Sequence, residues 1–268
     1  PPTGMPANAM KVRARRSQDS PAGAVNTFLA KIMGKSSMDA VSDSIAAIQP
    51  RAGIYTAFCV DACNAACIYD RATNLPDLNG NSDLWPAECR VEKKMETGPA
   101  GTVPFTNAFA WTSLLDQVTS TNVLESNFIC KDAPFVEVCG KEIYSMMGAS
   151  TAALRDLESV MYDPWIDGTN KDKDNAGRIT GWWVIVPITQ DCPPGGQGST
   201  YDPKRVTRYA KIRIKSICSG GTAGCRGYGA PGGVCDHAAA NSIVIDRFLC
   251  INCGDKDLLM GTRGTLVE

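Results

Sequence analysis

Val206-Thr-Arg-Tyr-Ala-Lys-Ile-Arg-Ile-Lys-Ser-Ile-Cys218 is the stretch on which the reading of the fold turns. Arg208, Ala210, Ile212 and Ile214 alternate with Tyr209, Lys211, Arg213 and Lys215, the period of two that marks a β-strand. One face is apolar enough to enter a core, and the other is basic and expected to be wet. Ser242 to Cys250 reads as a further strand, with Ile243, Ile245 and Phe248 as its apolar weight, and Gly181 to Ile188 as a buried one to which Trp182 and Trp183 bring a large apolar surface. Phe135 to Tyr144 also reads as a strand. Ser150 to Met161 places Leu154, Leu157 and Met161 on one side of a helix.

Working toward the N-terminus, Ala9 to Arg16 sets Met10, Val12 and Ala14 against Lys11, Arg13 and Arg15, again the pattern of a half-buried strand. A basic face of this kind is read as a solvated strand face. Ser20-Pro21 is a capping residue before a proline at the first helical position, and Val25, Phe28, Leu29, Ile32 and Met33 follow at helical spacing until Gly34. Ser36 to Ile48 reads as a second strand. Connection through a helix suggests a parallel pair. Gly53 to Val60 alternates once more, and between Asp70 and Pro104 turn-forming residues dominate, giving a long loop-rich insertion tied down by Cys89.

The expected fold is therefore α+β. A strand-helix-strand segment (1–58) precedes a cysteine-rich region (59–268) of mixed sheet with long loops at 70–104, 163–180, 190–205 and 219–240. At 268 residues the chain can bury a substantial core without relying on cross-links. Lys plus Arg number 27 and Asp plus Glu 28, a balance that steers toward neither nucleic acid nor an anionic membrane surface. No run of apolar residues is long enough to span a bilayer.

Twelve cysteines are present: Cys59, Cys63, Cys67, Cys89, Cys130, Cys139, Cys192, Cys218, Cys225, Cys235, Cys250 and Cys253. A reducing cytosol seldom retains so many, so disulfides and export to a periplasmic, cell-surface or extracellular location are expected. The competing readings are zinc ligation, for which Cys250-Ile-Asn-Cys253 has the spacing, and a thioredoxin-like redox pair at the same two residues. Pairings cannot be read, because the connectivities are on the order of ten thousand. The chain opens Pro1-Pro2-Thr3-Gly4 with no leader, so a processed form or fragment is expected.

Few motifs carry chemistry. Gly227-Tyr-Gly229-Ala-Pro-Gly232 spells G-x-G-x-x-G, but Pro231, Gly233 and Cys235 oppose the helix that a nucleotide fingerprint requires, and a turn is expected. His237 is the single histidine and has no nucleophile or orienting acid at recognisable spacing. The segment Asp77-Leu-Asn79-Gly-Asn81-Ser-Asp83-Leu-Trp-Pro-Ala-Glu88 places oxygens at the alternate positions of a calcium loop, making Asp77, Asn79, Asn81, Asp83 and Glu88 the candidate ligands. Gly80 in the fourth place and Pro86 at the exit depart from that pattern, and an ordinary turn is the plainer reading. Asp172-Lys-Asp174-Asn175-Ala-Gly177 is a weaker candidate of the same kind.

Pro6-Ala-Asn-Ala-Met-Lys-Val-Arg-Ala-Arg-Arg16, Asn26-Thr-Phe-Leu-Ala-Lys-Ile-Met-Gly34 and Ser42-Asp-Ser-Ile-Ala-Ala47 together resemble TadG-like proteins of the Tad (tight adherence, Flp) pilus assembly system. Tyr209-Ala-Lys-Ile-Arg-Ile-Lys-Ser-Ile-Cys218 and Ile243-Val-Ile-Asp-Arg-Phe-Leu-Cys250 are similar to its cysteine-bearing branch, and the likeness covers about a third of the chain. The family's usual N-terminal membrane helix is missing from this sequence, and so is the D-x-S-x-S metal motif some relatives carry. What the resemblance implies is a non-enzymatic envelope or surface component, a minor subunit, anchor or adhesive element. Its partners would be other pilus or envelope proteins, and a homo-oligomer or filament is compatible with that role. No catalytic residue and no required cofactor is transferred. Two other classes are a secreted calcium-dependent binding module, with exposed aromatics such as Trp85 and Trp111, and a secreted hydrolase using paired carboxylates.

Overall fold

The structure is a computed structural model that describes residues 9–16, 40–48, 53–64, 67–68, 89–90, 92–98, 102–117, 124, 129–130, 136–148, 150–165, 170–197, 201–219, 224–232, 234–235, 242–253 and 264–267. The chain divides into two compact units, Pro1–Gln49 with Met260–Glu268 and Pro50–Leu259. In the first unit β1 (Ala9–Arg16), β2 (Ala40–Ile48) and β13 (Gly264–Val267) form a sheet in the order β1-β2-β13. Ala9 lies opposite Ala47 and Arg16 opposite Ala40, so β1 and β2 are antiparallel, which corrects the expected parallel pair. A long connection is required for parallel strands, but it serves an antiparallel return equally well. The helix expected over Pro21 to Met33 lies outside the described residues. β13 pairs antiparallel with β2, so this unit draws on both ends of the chain.

The second unit holds β3 (Thr56–Cys59), β4 (Cys67–Ile68), β5 (Lys93–Glu96), β6 (Phe109–Leu114), β7 (Glu142–Met147), β8 (Lys171–Lys173), β9 (Ile179–Thr189), β10 (Gly196–Gln197), β11 (Asp202–Cys218) and β12 (Ser242–Asn252). Among the described residues two α-helices accompany them, α1 (Val60–Asn64) and α2 (Thr151–Tyr162). The α+β class is as expected, with the sheet dominant. Because β3 belongs to this sheet, the division falls at Gln49/Pro50, not after residue 58. Three expected loops carry structure: β5 lies in 70–104, β8 in 163–180, and the start of β11 in 190–205.

β11 organises the sheet. Its residues Val206 to Ile214 pair with β9 along one edge. Along the other, Asp202 to Arg205 pair with β7, and Arg208 to Cys218 with β12. β7 pairs with β6, β6 with β3, and β3 with β9 in parallel, so the ladder from β11 through β7, β6, β3 and β9 returns to β11 as a closed ring of five strands. Closure leaves these strands without a free edge along the paired stretches.

Alternation then sorts side chains between two cores. Trp182, Val184, Val186 and Ile188 of β9 join Phe58, Trp111, Ile212, Ile214, Ile245 and Phe248 in the larger one. Trp183 and Ile185 turn the other way, toward Ala57, Leu114, Ile143, Val206 and Tyr209. Helix α2 covers the larger core with Ala153, Leu154, Leu157, Val160 and Met161. Its start is set by Ser150, whose side-chain oxygen accepts the Ala153 N–H at 3.1 Å. Pro164 disfavours a helical conformation for the residue before it, and Asp163 is extended. Lys171 then closes the end: its buried ammonium donates to the carbonyls of Val160 and Asp163, each at 2.7 Å, placing a cation at the negative pole of the helix.

Five disulfides are described: Cys59–Cys192, Cys63–Cys250, Cys130–Cys225, Cys139–Cys253 and Cys218–Cys235. Cys89 is disulfide-bonded as well, and none of the described cysteines is free. Cys250 and Cys253 go to different partners, and Cys59 and Cys63 are consumed in bridges, which corrects both the zinc and the redox-pair readings of those residues. A sulfur in a disulfide is not the thiolate that zinc binding needs.

Cys63–Cys250 closes a loop of sequence separation 187 and anchors α1 to β12. The Cys63→Ser/Cys250→Ser double variant is expected to lose about 4 kcal/mol of unfolding free energy in urea. A second expectation concerns alkaline pH. Burial, and then the Asp116 carboxylate, push the Tyr55 phenol up to about 12. Burial also raises Tyr162 and Tyr209. Their folded values exceed their unfolded ones, so the stability gained by keeping them neutral is intact below about pH 10 and is lost above it. Urea midpoints should fall between about pH 10 and 12, and Tyr55→Phe should flatten that fall.

Candidate functional site

The basic face expected on β11 is not open. Arg213 sits where β8, β9, β11 and β12 meet, and its side chain is 14% exposed. Nε donates to Asp172 Oδ2 at 2.6 Å, one terminal nitrogen to Asp246 Oδ2 at 2.6 Å, and the other to the Thr180 carbonyl at 3.1 Å. Asp246 reaches it because the β11–β12 register slips there, with Arg213 opposite Arg247 and Ile214 opposite Ile245. Asp172 also accepts from the Trp183 indole at 3.2 Å, and Lys211 lies 5.6 Å above the Trp183 ring. Lys215 pairs with Glu92 at 2.7 Å. Charge on this face is thus matched within the molecule by residues distant in sequence, which no local pattern signals.

Two acids therefore meet around one guanidinium, but as its counter-ions. A carboxylate pair for glycoside cleavage has to face a substrate, whereas Asp172 and Asp246 are both turned onto Arg213. Asp174, the other acid of the weaker calcium candidate, builds the β8–β9 turn. It accepts from the backbone N–H groups of Ala176 and Arg178 and pairs with the Arg178 guanidinium at 2.7 Å. Those hydrogen bonds from Arg178 hold its carboxyl below the usual carboxylate range. Asp172 and Asp174 serve different partners and form no common oxygen cage.

The stronger calcium candidates, Asp77, Asn79, Asn81, Asp83 and Glu88, lie outside the described residues, as do Trp85 and His237. Trp111 is described and fully buried, its indole donating to the Gly148 carbonyl at 3.2 Å, so it cannot act as an exposed binding aromatic. Cys59, Asp61 and Cys192 come together, and so do Cys130, Asp156 and Cys225, but in each trio the two sulfurs are bonded to one another.

The glycine-rich turn has a structural function that its sequence did not reveal: it lies across α2. Cys225 N–H donates to Asp156 Oδ1 at 2.9 Å, and Arg226 and Tyr228 N–H to Ser159 Oγ at 2.9 and 3.3 Å. Ala230 N–H donates to Glu158 Oε1 at 2.9 Å, and Ser219 gives Glu158 Oε2 both its N–H and its hydroxyl. Three polar side chains of one helix thus satisfy the backbone of a segment that has no ladder of its own. Cys218–Cys235 and Cys130–Cys225 fasten the same segment covalently. Just past the end of α2, Trp165 stands 85% exposed, its N–H bonded to Asp163 Oδ1 at 2.9 Å.

No family model, curated protein or solved structure matches this chain. The Arg213 network gives a direct test of its structural role. A Cβ at Gly181 would stand 2.5 Å from the Arg213 guanidinium carbon. Gly181→Ala should therefore cost about 1 to 3 kcal/mol, and Arg213→Met, which strands two carboxylates, about 3 kcal/mol. Urea unfolding of both variants measures these losses.

Proposed function

We propose that the chain is a non-enzymatic, extracytoplasmic structural or assembly component of a Tad-type surface pilus system. The observation that carries this reading is the cross-linking: every described cysteine is in a disulfide, and the bridges fix loops and helix ends to the sheet. Such a pattern fits an oxidising compartment and mechanical exposure. No helix among the described residues is long and apolar enough to cross a membrane, in keeping with a part that works outside the bilayer. The likeness of the N-terminal stretch and of β11 and β12 to TadG-like proteins supplies the pilus system itself.

Acid side chains support the non-enzymatic reading over a hydrolase with paired carboxylates. Asp172 and Asp246 are bound to Arg213, Asp156 and Glu158 to loop amides, and Glu137 to Tyr209 and Cys139 N–H. A second reading, a secreted binding module, is favoured by one observation, the exposed ring of Trp165.

Affinity capture of the tagged, exported chain from the envelope of its own host, after brief chemical cross-linking, tests the proposal. Pilin and assembly proteins of a Tad system should dominate the cross-linked set. Recovery of correctly exported chain with none of them enriched over an unrelated exported control overturns the pilus assignment.

A further inference from the structure

Among the described residues four large apolar side chains are exposed, and three of them come from the segment that crosses α2, Tyr228 and Val234, or from the turn just past its end, Trp165. Ser159 joins those segments. Its hydroxyl holds the Tyr228 N–H, and its carbonyl accepts the Asp163 N–H at 3.1 Å, two residues before Trp165. Both aromatic residues thus hang from short, hydrogen-bonded tethers to one residue, Tyr228 on a loop locked by two disulfides and Trp165 just past the end of α2. Arg155 precedes Ser159 by four residues and shares its helix face. The chain passes directly over it, since a Cβ at Gly224 would stand 2.5 Å from the Arg155 carbonyl. Arg226 follows two residues later.

Among the described residues these two arginines have no ion-pair partner. The Nε atoms of Arg155 and Arg226 are buried without a hydrogen-bond partner. The acids nearest in sequence are turned to other donors. Asp156, Glu158 and Asp163 are 9%, 8% and 5% exposed, and their oxygens accept from Cys225, Ser219, Ala230 and Trp165. Arg213 is the contrast: its guanidinium has both Asp172 and Asp246 as counter-ions.

We infer that Trp165, Tyr228, Arg155 and Arg226 form a binding platform for an anionic saccharide. Ring faces take the apolar C–H face of a sugar out of water, and a guanidinium fork matches a carboxylate or sulfate with two parallel hydrogen bonds. The size of the patch selects this occupant over a protein. A stable protein contact buries about 800 Å² on each partner, whereas an aromatic side chain supplies about 150 to 250 Å², so two rings and a valine fall well short. The tethers fix the platform beforehand, which limits the entropy lost on binding. The site stands apart from the pilus reading and holds or fails without it.

Calorimetry on the full chain, with tryptophan fluorescence, tests it against tetragalacturonate, a chondroitin sulfate tetrasaccharide, cellotetraose and inorganic sulfate. At least one anionic oligosaccharide should bind saturably, with cellotetraose weaker by about tenfold and sulfate alone not binding. The first two probes decide between carboxylate and sulfate. Trp165→Ala should weaken binding by about tenfold, and Arg155→Gln/Arg226→Gln should bring the anionic sugar down to the level of the neutral one. Trp165 is exposed, so its variant should keep the parent melting temperature, and Arg226→Gln alone serves if the double variant does not fold. The inference is overturned by the absence of saturable binding of either anionic sugar at millimolar concentration, or by variants that bind as the parent does. Self-association that Trp165→Ala abolishes would assign the patch to a second copy of the chain and overturn it as well.

Discussion

β11 has to satisfy both of its edges over seventeen residues, and the second unit is arranged around that requirement. A strand this long is well beyond the usual five or six residues. Its outer edge is shared in sequence by β7 and then β12, while β9 lies along the other. Sharing the edge lets β7 close a ring back to β9 and leaves β12 to extend the sheet past it. The β11–β12 register slips at Lys215 of β11 and, one pair away, at Asp246 of β12. The slip at Asp246 turns that side chain onto Arg213, so the ion network follows from the register of the ladder.

Several buried polar groups are handled in the same way, by local pairing instead of exposure. Lys171 is buried because the last carbonyls of α2 need a donor, and the Trp182 ring beneath it tolerates a cation. The hydroxyl of Tyr209 is placed between Val138 N–H, which donates to it, and Glu137, which accepts from it. Asp156, Glu158 and Ser159 turn the polar side of α2 into a rack of acceptors for a loop without secondary structure. Each buried donor needs such an acceptor, since leaving it unpaired costs about 1 to 3 kcal/mol.

Much of this scaffold was legible in the sequence, and the exceptions have physical causes. β9, β11, β12 and α2 announce themselves because their side chains alternate between unlike environments at a fixed period. β6 goes unnoticed in Phe109-Ala-Trp-Thr-Ser-Leu114 because all six residues are buried, which erases the alternation. β8 hides in Lys171-Asp-Lys173, where one lysine serves a helix end and the aspartate serves Arg213, contacts that local pattern does not encode. The strand expected through Val60 stops at Cys59, where α1 begins and carries Cys63 to Cys250. Tyr209, assigned to a wet face, is fully buried, because that face of β11 is apolar at one end and charged at the other. The platform beside α2 was unreadable for a simpler reason: its four residues come from three segments that only the folded chain brings together.

The placement of the disulfides says what they are for. None of the five described bridges joins one strand to another, and each has at least one cysteine in a loop, turn or helix. If their sole effect were to restrict the unfolded chain, location would matter little, because loop-closure entropy depends on sequence separation and not on surroundings. Hydrogen-bonded ladders and two apolar cores already hold the strands. What those forces cannot hold is the irregular backbone between them, which has little core and loses about 1 to 2 kcal/mol of conformational entropy for each residue ordered. Cys218–Cys235, at a separation of only 17, contributes least by the entropic measure. Yet together with Cys130–Cys225 it fixes both ends of the segment that carries Arg226 and Tyr228. Cross-links placed in loops fit a protein whose loops have to keep one shape in an oxidising compartment.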